Sequence, residues 1–310
     1  MNQNTGIHTV SILVIGLDPL LERTILFERL TINEVNRAKE VRLDASGTGL
    51  NCARVLLQFG ASLRLLSSSS EEAARRFAEL VRSEGMPVEY TPAGTAPGEC
   101  TTVVSLSQHR TARFTTYTGT PSQEAKSQIL SRYPDLLPGS RCVIITGSER
   151  TGFGEDFLDS IIKAARDRGI RTILSIHDAG TYRRRATTGK TRPDFIVVSG
   201  DSSNRIPETA DIPGELEQLM IELLSEGSVP VVYREGGATL SLSGTGEDSL
   251  LEIEPVAVTP INRSGCGDAF LAGFAMEISE GGTTADAIER GHAAAAMNAA
   301  QLKPGTIRPE

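Results

Sequence analysis

The sequence lacks an excess of positive charge. Its 310 residues include 31 Lys and Arg against 39 Asp and Glu, which gives a formal net charge of −8 and a pI near 5.2. A protein that binds nucleic acid needs a basic surface to meet the phosphate backbone. The composition therefore argues against nucleic acid as a partner, and the length is sufficient for a sizeable hydrophobic core.

Cysteine pairs with metal-ligand spacing are also missing. Cys52, Cys100, Cys142 and Cys266 are scattered without a CxxC pattern, and the four histidines lie far from them in sequence. This usage predicts reduced thiols in a cytoplasmic protein and no zinc site.

Long apolar runs are absent as well. No run reaches the ~18 residues that a membrane span needs. The N-terminal stretch MNQNTGIHTVSILVIG has no basic region and no small-residue cleavage signal, so we expect a first core strand there rather than a targeting peptide. We therefore expect no membrane partner.

The sequence does contain a regular alternation of strand and helix patterns. Short Val, Ile and Leu runs bounded by Gly, Pro or charge are typical of strands buried on both faces. Amphipathic segments of helical period lie between them, which predicts an α/β fold with a mainly parallel sheet and helices on both faces. The strand-like runs are 10–16, 63–68, 142–148, 171–176, 194–199 and 229–234, and the helical segments are 49–60, 71–85, 122–133, 155–169, 212–226, 266–280 and 284–302.

Two regions break this alternation and predict a small additional sheet. Residues 22–44 and 100–118 contain period-two patterns rich in Thr, Val and charge, with no helical segment between their strands. We expect one α/β domain over 1–310, with a β lid formed by about 20–44 and 100–118. The edges of the lid strands offer a surface for pairing between subunits, so a homodimer through the lid is an expectation.

The strongest motif is INRSGCGDAFLAGF at 261–274. A Gly-x-Gly turn at Gly265–Gly267 that enters a helix leaves backbone N–H groups pointing at one spot, where the helix dipole favours an anion. Asp268 follows in the first turn, as expected of a general base that deprotonates a hydroxyl during phosphoryl transfer. Cys266 is interpreted as a small residue that fills the turn, because no histidine is close to it in sequence. The alternative is an ordinary N-cap region with an N-terminal acid.

A second Gly-x-Gly turn lies in ASGTGLNCARVLLQFGA at 45–61. It precedes an amphipathic helix with Asn51 in its first turn. The turn is interpreted either as a site for the hydroxyls of a ligand or as a plain strand-to-helix turn. Because it is not GxGxxG, it does not predict a dinucleotide site.

Two further features are weaker. His177 and Asp178 follow a predicted strand, where ligands often bind in α/β sheets, but a satisfied surface pair is the simpler interpretation. Gly189–Thr191 has the ending of a Walker A loop, yet Arg184 stands where that motif has a glycine. We interpret this second similarity as chance.

These motifs resemble those of the PfkB carbohydrate kinases, which have the ribokinase-like fold, and within them the branch of 1-phosphofructokinase and tagatose-6-phosphate kinase. The likeness is carried in family order by 16–56, 143–174, 261–274 and 293–307. The resemblance implies a ribokinase-like α/β fold. It also implies transfer of the γ-phosphoryl group from ATP, with Mg²⁺, to a hydroxyl of a sugar or sugar phosphate.

The resemblance implies roles for individual residues. Asp268 matches the catalytic base, and Gly265, Cys266 and Gly267 match the anion hole, with Cys where alanine is usual. Glu22 is one methylene longer than the family's Asp. The sugar-binding positions are Asp18, Glu22, Gly47, Thr48, Gly49 and Asn51, the nucleotide-side positions are Gly236, Asn298 and Gly305, and the candidate Mg²⁺ ligand is Asp201.

Several positions on the sugar side depart from the family's pattern. Thr48 replaces a common Lys, and Thr101 and Val103 stand where an Arg and an Asn that meet the substrate phosphate are expected. Arg–phosphate pairs are strong and bidentate. A phosphorylated sugar therefore needs Arg110, Arg113 or another basic group, and a non-phosphorylated sugar or another polyol stays a candidate.

The nucleotide side departs from the pattern too. The family's Asn-x-x-Glu element falls near 199–202, where the chain has Ser-Gly-Asp-Ser, and Arg234–Ala238 replaces a Leu-Gly-x-x-Gly turn. Mg²⁺ needs few protein ligands, because phosphates and water fill most of its octahedron. The alternative function is a kinase-like fold that has lost phosphoryl transfer and binds a sugar or a nucleotide, and a nucleoside kinase is a third.

Overall fold

The computed structural model describes residues 11–92, 97–116, 119–148, 152–177, 188–199, 214–243 and 249–308. Within these ranges strands and helices alternate along the chain. The strands are β1 (Ser11–Gly16), β2 (Leu20–Phe27), β3 (Glu40–Ser46), β4 (Ser62–Ser69), β5 (Val88–Pro92), β6 (Gly98–Ser105), β7 (Arg110–Thr116), β8 (Cys142–Thr146), β9 (Arg171–Ile176), β10 (Phe195–Ser199), β11 (Val229–Tyr233), β12 (Thr239–Leu242) and β13 (Leu250–Ile253). The helices are α1 (Thr48–Gln58), α2 (Glu71–Val81), α3 (Gln123–Leu136), α4 (Glu155–Arg166), α5 (Gly214–Ser225), α6 (Cys266–Glu280) and α7 (Thr284–Ala299).

The larger sheet has the strand order β13-β12-β11-β10-β9-β8-β1-β4-β5. All neighbouring strands from β11 to β5 in that order are parallel, and β12 and β13 extend the sheet antiparallel at one edge. Strands such as β8 are buried along their whole length, because their Val and Ile side chains meet helices on both faces. The predicted mainly parallel α/β fold is confirmed.

The strands β5, β12 and β13, at the two ends of the larger sheet, were not predicted. They are short, and β13 alternates exposed and half-buried residues instead of forming the continuous apolar run that marks a central strand.

A hydrophobic layer covers each face of the larger sheet. Helices α1, α2, α6 and α7 form one layer, in which Phe77, Phe270 and Phe274 are fully buried. Helices α3, α4 and α5 form the other, around Tyr133 and Ile161. The apolar helix α6 packs against both the sheet and α7, which fixes the position of its N-terminus. Among the described helices, none combines the length and apolar composition that a membrane span requires.

The smaller sheet has the strand order β3-β2-β6-β7, and we call it the lid sheet. Its strands coincide, to within two residues at their ends, with the two regions whose patterns break the helix–strand alternation. Side chains alternate between two faces, so Glu22 and Thr24 are buried on the inner face whereas Arg23 is exposed on the outer face. The inner face of the lid sheet therefore carries the groups that meet the rest of the molecule.

Candidate active site

Helices α1 and α6 pack together, and a glycine precedes each of them as its N-cap. Gly47 precedes α1 with φ 107°, and Gly265 precedes α6 with φ 82°. Glycine adopts these values without steric strain. The structure thus brings together the two Gly-x-Gly turns, which are far apart in the sequence.

The first turn packs tightly against backbone. A Cβ atom on Gly47 would lie 2.3 Å from the Asp18 carbonyl oxygen, and a Cβ atom on Gly49 would lie 2.4 Å from the Cα of Gly16. The end of β1 therefore passes directly beside the start of α1. The fold itself requires both glycines.

The two glycines of the second turn differ in how much space a side chain would find there. A Cβ atom on Gly265 would lie 2.8 Å from the amide nitrogen of Gly305, whereas the nearest atom to a Cβ on Gly267 would be the Ser199 Cβ at 3.5 Å, an ordinary contact. The missing side chain at Gly267 leaves an opening at the N-terminus of α6. Backbone amides there have no intrahelical acceptor, and the helix dipole favours an anion.

Asp268 lies in the first turn of α6 and contacts α1 directly. Asn51 Nδ2 donates a hydrogen bond to Asp268 Oδ2 at 2.8 Å. Asn51 Oδ1 accepts from Arg54 Nη1 at 3.0 Å, which orients the amide nitrogen towards Asp268. The predicted base and the predicted sugar-side Asn51 therefore belong to one hydrogen-bonded unit.

The buried Arg54 was not predicted to take part in the site. It donates to the carbonyl oxygens of Ala45 at 2.7 Å and Pro304 at 3.1 Å, and its Nε donates to Glu84 at 2.6 Å. Lys303 also contacts Glu84, at 2.8 Å. Burial alone would raise the pKa of Glu84, but Arg54 and Lys303 outweigh burial and lower that pKa. The signal in the sequence is a single arginine within the apolar stretch NCARVLLQF, because a buried cation needs partners.

Glu22 lies on the inner face of the lid sheet and is 0% exposed. Its carboxylate accepts hydrogen bonds from Ser46 Oγ and Thr102 Oγ1, both at 2.6 Å, and from Ser264 Oγ at 3.0 Å. The resemblance implies that Glu22 binds a sugar hydroxyl. In the structure three hydroxyl groups of the protein contact its oxygens.

Asp18 and Thr48 lie beside His177. Thr48 Oγ1 is 3.4 Å from both Asp18 Oδ2 and His177 Nε2. Asp18 follows β1 and His177 follows β9, so this cluster is at the carboxyl ends of parallel strands, where α/β proteins bind ligands. His177 therefore lies in one cluster with the predicted sugar-side residues Asp18 and Thr48, and Asp178 lies outside the described residues.

The lid sheet corrects the interpretation of two substituted positions. Thr101 and Val103 lie on its outer face, and Thr101 is in register with the exposed Phe114. Cys100 and Thr102 are the buried, inward positions of β6. Because side chains alternate along a strand, Thr101 and Val103 do not face a ligand beneath the lid sheet.

Arg113 lies opposite Thr102, on the same face of the lid sheet as Glu22. Arg113 as a whole is solvent-exposed. Desolvation of its guanidinium lowers the pKa of Arg113, but the charge of Glu22, a hydrogen bond to Cys100 and the charge of Asp268 give a net rise. Its guanidinium is therefore a charged group near both carboxylates. Arg110, three residues earlier in β7, falls on the outer face.

Asn298 holds the second turn in place. Its Nδ2 donates to the Ser264 carbonyl oxygen at 2.8 Å, and its Oδ1 accepts from the Gly305 amide at 2.7 Å. Asn298 is buried. These contacts give Asn298 and Gly305 a structural role in addition to the nucleotide-side role that the resemblance implies.

The remaining nucleotide-side positions lie around the same turn. Arg263 Nη1 is 3.7 Å from the position of a Cβ atom on Gly236, so the Gly236 turn lies next to the segment that enters α6. The candidate Mg²⁺ ligand Asp201 lies outside the described residues. Within the described ranges no group of three His, Cys, Asp or Glu side chains could hold a metal ion.

Cys266 is buried within the second turn. Burial, with a smaller contribution from the charge of Glu235, raises the pKa of its thiol to about 12. The thiolate is the nucleophilic form of cysteine, and this thiol stays protonated at neutral pH. The structure supports the interpretation of Cys266 as a small residue that fills the turn.

The pattern of the pfkB family carbohydrate kinases matches residues 11–310. The chain belongs to this family. It is therefore a carbohydrate kinase, and the family implies ATP as its co-substrate.

Relatives along nearly the whole chain are similar to it at low identity. A tagatose-6-phosphate kinase of Staphylococcus epidermidis is 21% identical, over 96% of this chain and 95% of that protein. The ATP-dependent 6-phosphofructokinase isozyme 2 of Mycobacterium tuberculosis is 23% identical, over 95% of this chain and 85% of that protein. The resemblance inferred from the motifs is confirmed, and nothing in these similarities supports a kinase that has lost phosphoryl transfer.

Solved structures of the same fold include a possible 1-phosphofructokinase from Thermotoga maritima, with a TM-score of 0.79, 18% identity and coverage of 94% of this chain and 93% of that one. Phosphofructokinase-2 from Escherichia coli, in complex with fructose-6-phosphate, has a TM-score of 0.74 and 18% identity, with 93% of each chain covered. A putative ribokinase from Agrobacterium tumefaciens matches with a TM-score of 0.73, 15% identity and coverage of 96% of this chain and 93% of that one. These similarities confirm the ribokinase-like fold.

Proposed function

We propose that this chain transfers the γ-phosphoryl group of ATP to a hydroxyl of a sugar phosphate, with Asp268 as the general base. The observation that carries the proposal is the 2.8 Å hydrogen bond between Asn51 Nδ2 and Asp268 Oδ2. This bond joins a helix N-terminus that suits an anion to the turn that the resemblance assigns to the sugar. A base at that junction reaches the acceptor hydroxyl while backbone amides hold the phosphoryl group.

In the proposed reaction one Asp268 oxygen takes the proton of the acceptor hydroxyl while the other keeps its bond to Asn51. A bond forms between the sugar oxygen and the γ-phosphorus, and the bond from that phosphorus to the bridging oxygen of ADP breaks. Amides of the turn Gly265–Gly267 stabilise charge on the transferring group. Asn51 orients the base.

We infer that Mg²⁺ accompanies ATP. The ion neutralises phosphate charge, and phosphates and water supply most of its ligands. Asp201 is the proposed protein ligand, in the segment that follows Ser199. Ser199, the last described residue before Asp201, lies next to Gly267, which supports this assignment.

Arg113 supports a phosphorylated rather than a neutral sugar. It lies on the inner face of the lid sheet, close enough to Glu22 and Asp268 for their charges to act on it. A guanidinium matches the geometry of a phosphate group and stays charged at every physiological pH. We propose that Arg113 supplies the positive charge that the substitution Thr48 removes.

The proposal is tested by ADP release with ATP and Mg²⁺ against fructose 1-phosphate, fructose 6-phosphate, tagatose 6-phosphate and the free sugars. We expect turnover on a sugar phosphate and a 10²- to 10⁴-fold lower kcat, as is typical for loss of a general base, in Asp268→Asn. Binding of the sugar phosphate, measured by calorimetry, should change little. Turnover by Asp268→Asn within a few-fold of wild type would refute the assignment.

Two variants serve as comparisons in that experiment. Asp286→Asn removes a first-turn carboxylate that only caps α7, so kcat should stay unchanged. Arg113→Met should raise the KM for the sugar phosphate at least tenfold, an expected loss of about 1.4 kcal/mol or more of binding. A preference of the wild type for free sugars would instead identify a neutral substrate.

We also infer that two copies associate through the outer face of the lid sheet. Val41, Ile25 and Val103 are in register across three strands of that face, and Val41 and Phe114 are exposed. Sedimentation equilibrium should show a dimer that Val41→Lys with Phe114→Lys converts to a monomer. Val256→Lys, at an exposed apolar residue outside the lid sheet, is the control.

We infer a cytoplasmic setting from the cysteines. All four are free and buried, as expected of a protein kept in a reducing compartment. Subcellular fractionation tests this inference directly.

A further inference from the structure

Glu22 is a buried carboxylate held by hydroxyl groups from three different parts of the molecule. Oε1 accepts from Thr102 in the lid sheet and from Ser264 in the segment before α6, and Oε2 accepts from Ser46 at the junction of β3 and α1. An ionised carboxylate has only acceptor sites, and three O–H donors offset much of the cost of burying it. Glu22 therefore has partners in β6, in the residue before the turn at 47–49 and in the residue before the turn at 265–267.

Ser264 is the residue through which Glu22 reaches the second turn. Its amide donates to Asn262 Oδ1 at 2.9 Å and its carbonyl oxygen accepts from Asn298 Nδ2 at 2.8 Å. The backbone of Ser264 is thus held by the body of the protein and its side chain by the lid sheet. The next residue, Gly265, begins the proposed phosphoryl-binding turn.

We propose that Glu22 is a positioning residue for the anion-binding turn and not a ligand of the sugar. The proposal rests on the proposed function for its consequence in catalysis. A side chain with no solvent exposure and three hydroxyl donors has no surface to offer a sugar, whereas its bond to Ser264 fixes the approach to Gly265. Through the hydrogen bond between Glu22 and Ser264, the lid sheet then stabilises the arrangement of the backbone amides that receive the phosphoryl group.

The test compares two substitutions that each remove one hydroxyl donor from the same Glu22 oxygen. Ser264→Ala removes the bond to the turn, and Thr102→Val removes a bond within the lid sheet. Glu22→Asp shortens the carboxylate by one methylene and should lose the longest of the three bonds, that to Ser264. Hydrogen exchange in a peptide covering 262–269, followed by mass spectrometry, reports on the turn without substrate.

We expect exchange in that peptide to be at least fivefold faster in Ser264→Ala and Glu22→Asp, and unchanged in Thr102→Val. The double variant Glu22→Asp with Ser264→Ala should be no faster than Ser264→Ala alone. Equal exchange in all variants would overturn the proposal, whether or not the wild type shows kinase activity.

Kinetics supply the second readout. Where the wild type phosphorylates a sugar phosphate, Ser264→Ala should lower kcat about tenfold and leave the sugar Kd within twofold. A Kd for the sugar phosphate that rises tenfold in Glu22→Asp, with kcat and exchange unchanged, would show that Glu22 contacts the sugar. Absence of all turnover in the wild type would refute the proposed function and leave the exchange experiment to decide on Glu22.

Discussion

The two Gly-x-Gly turns look alike in sequence but differ in why they contain glycine. In the turn at 47–49 both glycines lie against backbone atoms, at distances that no Cβ atom tolerates. In the turn at 265–267 the first glycine is equally confined, but Gly267 has room for a methyl group and no left-handed φ. The packing of the chain therefore accounts for three of these glycines and leaves Gly267 without a structural reason.

A glycine that the fold does not require points to a ligand. Glycine within a helix costs about 0.5–1 kcal/mol relative to alanine, although the first turn of α6 loses less than a helix interior. A close approach of phosphate oxygens to the backbone supplies a reason for glycine at this position. In the proposed function the first turn shapes the site, and the second turn binds the transferring phosphoryl group.

The largest expected effects come from placing alanine in each turn. Gly49→Ala sets a Cβ atom 2.4 Å from the Cα of Gly16, so we expect a loss of more than about 3 kcal/mol in the free energy of unfolding. Gly267→Ala should leave stability equal or slightly higher and lower kcat about 10²-fold, comparable to the loss of an oxyanion-hole donor. Urea unfolding and steady-state kinetics measure the two quantities.

The behaviour of Gly267→Ala can contradict this distinction between the two turns. If Gly267→Ala unfolds as readily as Gly49→Ala, or keeps a normal kcat, then glycine at 267 serves packing or nothing, and the anion site is elsewhere.

The fold and the two turns could be predicted because both depend on local patterns. Buried strands leave continuous Val and Ile runs, and a helix that follows a Gly-x-Gly turn is visible within fifteen residues. The partners of Glu22 could not be predicted, because Ser46, Thr102 and Ser264 lie 24, 80 and 242 residues away. A single sequence shows the buried acid but not which hydroxyl groups surround it.

The same reason explains the missed Arg54. Its partner Glu84 is 30 residues away, and the second cation on that carboxylate, Lys303, is 219 residues from it. The sequence alone also could not show which face of the lid sheet Thr101 and Val103 occupy. A one-residue difference decides which side of a strand faces the site, and only the register with neighbouring strands fixes it.

We expect a smaller effect from changing Arg54, whose hydrogen bond supports Asn51 beside the turn at 47–49. Arg54→Lys keeps a positive charge beside Glu84 but cannot donate to Asn51, Ala45 and Pro304 together. Leaving a buried acceptor without a donor costs about 1–3 kcal/mol, so we expect a loss of that size in the free energy of unfolding. The freed Asn51 amide should also lower kcat by up to roughly tenfold, or ~1.4 kcal/mol.

Gln58→Ala is the matched control for that variant. It lies on the same helix and bonds the same C-terminal segment, through the Gly305 carbonyl oxygen and the Ile307 amide. It has no contact with Asn51 among the described hydrogen bonds, so stability should fall without a change in kcat. A fall in kcat as large as that of Arg54→Lys would show that the turn at 47–49 responds to any loosening of α1.

The smallest expected effect is a pH dependence of stability that comes from Glu84, the carboxylate that pairs with Arg54. The pKa of Glu84 is lowered in the folded protein from its ordinary value of 4.5, so its stabilisation is fully present above that pH and is lost as the pH falls through the lowered value. Glu84→Gln should therefore be less stable than wild type at pH 7, and the difference in stability should narrow below pH 4.5.

Urea midpoints between pH 7 and pH 3 measure this difference. The control is Glu89→Gln, which removes an exposed partner of Arg132 and should change stability little at any pH. A difference that stays constant across this range would mean that Glu84 supports Arg54 through packing and not through its charge.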